Sequence, residues 1–65
     1  MRKAEKIMRG IEIILKYDSN ADVCAAHDEI FCGHWTYEKM SDDDKVKMDA
    51  LGWEISVDES WRMLV

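Results

Sequence analysis

No stretch of these 65 residues approaches the roughly 20 consecutive apolar residues that a membrane-spanning helix needs. Cysteine is scarce too. Cys24 and Cys32 are the only two, too few for the disulfide framework of a small secreted domain. The first seventeen residues lack an uninterrupted apolar stretch, so no secretory signal is expected, and the two thiols read as free groups in a reducing cytoplasm. Positive charge is also in deficit, with nine Lys and Arg against fourteen Asp and Glu, a net charge of −5. A phosphate backbone would repel such a surface, so direct nucleic-acid binding is not expected. There are no repeats and no linker, and residues 1–65 read as one small domain.

Small size has its own consequence. A chain of this length buries only about 60% of the surface it exposes when unfolded, leaving little room for a deep substrate cleft. An enzyme is therefore not the expectation. The charge is unevenly spread. Residues 1–17 carry five bases against two acids, and the remainder carries twelve acids against four bases. The second part thus presents an acidic surface suited to a basic partner.

Ala4, Ile7, Met8, Ile11, Ile14 and Leu15 recur at helical spacing, which predicts an amphipathic helix over 2–17. Gly10 sits inside it, at a cost of about 1 kcal/mol relative to alanine, either permitting close packing or simply tolerated. Ile13 falls on the polar side of the same wheel among Arg2, Lys6 and Arg9. It is either an isolated exposed apolar residue or the centre of a partner-binding or homodimer face. Residues 23–34 read as extended structure, one bent strand or two short ones, with Glu29–Cys32 the surer part before Gly33.

Ser41 is a strong N-cap, with Asp42, Asp43 and Asp44 in the first turn and Asp44 at the capping-box position. Met48 and Leu51 face inward, and Gly52 suits the left-handed residue that ends the helix. Trp53, Ile55 and Val57 then alternate with polar residues, as do Trp61, Met63 and Val65. A hairpin over 53–65 follows, turning at Asp58-Glu59-Ser60, with its tryptophans able to meet across the strands. The expected fold is α+β, a small antiparallel sheet with a C-terminal hairpin packed against two helices, the hairpin pairing with the strand near Ile30. The expected core is Ile7, Met8, Ile11, Ile14, Leu15, Ile30, Met48, Leu51, Trp53, Ile55, Trp61 and Met63.

Two constellations invite a chemical reading. Cys24, His27, Cys32 and His34 offer four zinc-competent ligands within eleven residues, although their spacing departs from the usual paired arrangement. A zinc-stabilised module is the alternative function; otherwise no cofactor is expected. A nucleophilic reading would pair one of these cysteines with His27 or His34, oriented by Asp28. The second constellation is the acidic row Asp42, Asp43, Asp49, Glu54, Asp58 and Glu59, which with Ile13 forms the candidate partner-binding set. Asp42–Asp44 lacks the further ligands of a calcium loop. Trp35 and Tyr37 could form a binding patch or a lid over the core.

HDEIFCG (His27–Gly33), MSDDDKVKMDALGW (Met40–Trp53) and the closing WRMLV (Trp61–Val65) together resemble a loose group of small uncharacterised phage and prophage proteins. The likeness covers about two-thirds of the chain. Cys24, Cys32 and His34 depart from that group's pattern, which weakens the zinc reading. The resemblance implies an accessory protein in the cytoplasm of an infected cell, and the expected role is a counter-defence inhibitor contacting a host protein with a basic surface.

Overall fold

The computed structural model describes residues 1–64; Val65, the last position of the expected closing strand, lies outside the described residues. The chain forms helix α1 (Lys3–Leu15), strands β1 (Val23–Ala26) and β2 (Glu29–Cys32), and a short 3-10 turn at Tyr37–Lys39. Helix α2 (Asp42–Ala50) and strands β3 (Glu54–Ile55) and β4 (Trp61–Leu64) follow. The four strands make one antiparallel sheet in the order β1-β2-β4-β3. This is the α+β architecture that the pattern predicted, with Ile30 opposite Met63 as the hairpin joins β2. The ambiguous 23–34 stretch is two strands joined by a two-residue turn. His27 there takes φ +54°, the left-handed conformation that tight hairpin turns require at their first position.

Alternation sorts the sheet's faces. Ile30, Cys32, Trp61, Met63 and Ile55 lie on one side by register, and Glu29, Phe31, Arg62, Leu64 and Glu54 on the other. The core forms on the first side, where Ile14, Cys32, Met40, Met48, Trp53, Trp61 and Met63 are all buried. On the outer side Arg62 bridges three strands, bonding Glu54 on β3 and, at 3.1 Å, Glu29 on β2.

Helix α1 forms as expected but turns a different side inward. Met8 and Leu15, expected in the core, are 61% and 41% exposed, while Gly10 is buried and Ile13 is half-buried against the core. Relative to the apolar stripe, the buried side is rotated by about 80° at 100° per residue. The cause is Trp53. Its indole lies on the backbone of α1 at Gly10, donating from Nε1 to the Lys6 carbonyl at 3.0 Å. That contact draws the Gly10 side of the helix toward the core and turns Met8 and Leu15 outward. Of the two readings of Gly10, close packing is the one realised. Trp53 therefore packs on a helix, and the ring neighbour of Trp61 is Tyr37, with centroids 5.6 Å apart. At the other end, Lys3 Nζ donates to the Leu64 carbonyl at 2.8 Å.

Helix α2 starts where its cap places it. Ser41 Oγ accepts from the Asp44 N–H at 3.2 Å, and Gly52 takes φ +93° beyond the last turn. Only half of the expected capping box forms. The Ser41 N–H donates to the Tyr17 hydroxyl at 3.1 Å rather than to the Asp44 side chain. The Asp44 carboxylate, almost wholly buried, accepts instead from the Tyr17 hydroxyl and pairs with Lys16 at 2.8 Å and Lys47 at 3.8 Å. Lys16 and then Tyr17 hold the Asp44 carboxyl below the usual carboxylate range, and the same contact raises Lys16.

Candidate functional site

The acidic row divides into two groups once its surroundings are known. Asp42, Asp43 and Asp49 are exposed on α2, and none of them enters an ion pair among the described residues. At 100° per residue Asp42, Val46 and Asp49 fall within about 60° of one another, opposite the side that buries Asp44 and Met48. Val46 is 68% exposed between the two carboxylates. The outward side of α2 is therefore an acidic strip with an apolar centre. Its carboxylates are solvated and unneutralised.

Glu54 and Asp58 are tied into the fold by their side chains. Glu54 is the partner of Arg62 on the outer side of the sheet. Asp58 accepts from the Ser56 hydroxyl and, at 3.3 Å, from the Ser60 N–H, and these bonds, the first above all, hold its carboxyl below the ordinary value. Glu59 is half-buried at φ +65°, and its carbonyl accepts from the Trp35 N–H at 3.1 Å. Asp49 and Glu54 do share one shallow hollow with Tyr37, Lys45 and Ile55. Lys45 occupies the aromatic side of that hollow, its ammonium 4.2 Å from the Tyr37 ring centre.

Ile13 lines an open groove of about 620 Å³ between the two helices, together with Arg9, Glu12, Lys16, Lys47 and Leu51. Of the bases expected around Ile13, Arg9 lines this groove with it. Ile13 is not a free surface residue within it, because the same side chain also packs against the core.

The Cys/His set is dispersed. Cys24 pairs with Phe31 and Cys32 with Val23, so alternation sends the two thiols to opposite faces of the sheet. His27 sits in the β1–β2 turn and His34 beyond the far end of β2. Among the described residues no group of three or more His, Cys, Asp or Glu stands close enough to hold a metal ion. Of the two thiols the nucleophilic reading named, Cys24 is exposed. Cys32 is buried, and burial pushes its thiol up, away from the reactive thiolate. The sequence reading missed the actual partner of His34, whose Nδ1 lies 3.1 Å from Ser60 Oγ. Among the described residues no carboxylate bonds the other nitrogen of that ring. The contact ties the loop after β2 to the loop before β4. Only the β2–β4 register, which sets Cys32 opposite Trp61, could have signalled it.

No protein-family model, curated protein or solved structure matches this chain. The class that fold and surface define is a small α+β domain with an acidic helix face. No helix of the described residues is long and apolar enough to cross a membrane.

Proposed function

We propose that this protein is a non-enzymatic binding protein that contacts a basic protein surface through the outward side of α2. The observation carrying this reading is that Asp42, Asp43 and Asp49 remain exposed and unpaired, whereas Asp44 and Glu54 are neutralised internally. Charges left free on a rigid helix steer association and set register against a complementary surface. Val46 supplies an apolar contact at the centre of the strip. The resemblance to small phage and prophage proteins suggests the setting: an accessory or counter-defence protein in a host cytoplasm, with a host protein as partner.

The test is affinity capture from a bacterial lysate at two salt concentrations, with wild type and an Asp42→Asn, Asp43→Asn, Asp49→Asn triple variant. A retained partner should be lost as salt rises from about 0.05 to 0.5 M, because screening shortens the Debye length below the spacing of the charges. The triple variant should lose it at low salt while keeping its fold. Equal capture by variant and wild type would remove α2 from the reading.

A further inference from the structure

Strand β1 is the open edge of the sheet. Val23, Cys24, Ala25 and Ala26 are all exposed, and among the described residues β1 pairs only with β2. The opposite edge, β3, is only two residues long. Exposed edges are usually blunted by a charged side chain, a proline or a bulge. None of these occurs in Val-Cys-Ala-Ala, which runs in unbroken register against β2.

The register also says which polar groups are free. In a two-residue hairpin the closing pair, here Ala26 and Glu29, exchanges both hydrogen bonds, and bonded pairs then alternate along the ladder. Cys24 with Phe31 is the next bonded pair. Val23 and Ala25 are the non-bonded ones, so their N–H and C=O groups point away from β2 toward the open edge.

We infer that two copies of this chain pair through β1 in antiparallel fashion, with Val23 of each opposite Ala25 of the other and Cys24 opposite Cys24 across a two-fold axis. This register matches free donors to free acceptors at both positions, and a shift of pairing by one residue would not. It makes Cys24 the non-bonded central pair, with Cα atoms about 4.5 Å apart, within the span a disulfide can bridge. At both ends it sets Asp22 of one copy opposite Ala26 of the other and next to His27, an acid against an imidazole able to donate to it. The pairing joins the two sheets into one of eight strands with all helices on the same side. It continues the sheet past Val23 and Ala25, both exposed on the side of the sheet that carries the core.

Mild oxidation tests the pairing. Diamide takes two electrons and two protons from two thiols and is reduced to its hydrazine, leaving a Cys24–Cys24 bond where the strands are paired. The control is Ala25→Pro. It deletes an edge-facing N–H while sparing the β1–β2 bonds, and proline is tolerated on that side of an edge strand. Covalent dimer should form about tenfold faster in wild type than in Ala25→Pro, as expected when pairing raises the local thiol concentration. Equal rates would show random collision of exposed thiols and overturn the proposal.

A register readout does not depend on the proline. In a Cys24→Ser background, Val23→Cys mixed with Ala25→Cys should cross-link far better than either alone; equal yields would sink the register. Two copies of net charge −5 repel, so dimer yield should rise with salt. Capture through the α2 carboxylates should fall with salt, so failure of one idea is distinguishable from failure of the other.

Discussion

Replacing Gly10 with alanine should destabilise the fold by about 2 kcal/mol, although helix propensity alone assigns that change a gain of about 1 kcal/mol. A Cβ at Gly10 would lie 2.1 Å from Trp53 Nε1 and 2.5 Å from Cε2. The indole has little freedom to retreat, being 1% exposed and bonded to the Lys6 carbonyl. Accommodation must shift the ring or the helix. Overpacking of this kind costs about 1–3 kcal/mol, and losing the indole hydrogen bond adds about 1 kcal/mol. A domain of this length has roughly 3–10 kcal/mol of stability in all, so the loss is a large share. Urea denaturation followed by circular dichroism measures it, and a midpoint at or above that of wild type would refute the steric account. Trp53→Phe, which shrinks the ring and removes the donor, should make the alanine cheaper, so the two changes should be less than additive.

Acidification should weaken the fold through Asp44. Lys16 and Tyr17 hold its carboxyl below the usual range, so the folded state binds this proton less readily than the unfolded chain. The stabilisation from this group is complete above the unfolded carboxylate value of about 3.9. It declines as pH falls below that value and is lost once pH passes the folded one. Lys16 behaves oppositely, being raised in the fold. Its contribution is intact below about 10.4, the ordinary lysine value, and is lost as pH climbs through the raised one. The contact is therefore strongest between those limits. Thermal melts between about pH 2 and 7 should show a steeper acid decline in wild type than in Asp44→Asn. Asp44→Asn should also melt lower at neutral pH, whereas Asp42→Asn and Asp43→Asn should each cost less than about 1 kcal/mol. Identical acid profiles for wild type and Asp44→Asn would exclude the mechanism.

What could be read from the sequence was what its neighbours in the chain determine. The Ser41 cap, the Gly52 stop and the alternation of Trp61 and Met63 are local, and all appear where expected. What could not be read depends on contacts made across the chain. Trp53 meets Gly10 over a separation of 43 residues, and that encounter turned Met8 and Leu15 outward. Asp44 was read as the capping-box acid of α2, because nothing nearby announces Tyr17 as its partner. The candidate site followed the same rule. Asp42, Asp43 and Asp49 were legible as surface charge, while Glu54 was committed to Arg62 by strand register. The four Cys and His residues are close in sequence and apart in space, since strand alternation separates neighbours that a loop would have let converge.

The Tyr17 hydroxyl bonds both the Ser41 amide and the Asp44 carboxylate. A nine-residue helix is too short to persist alone, and here its starting turn is completed by a side chain from the end of α1. The first helix must therefore dock before the second has a finished terminus. Neither can fray far without releasing the other. Amide protons along α2 should then exchange with solvent only at the rate of whole-molecule opening, so the two helices behave as one cooperative unit despite the two strands between them.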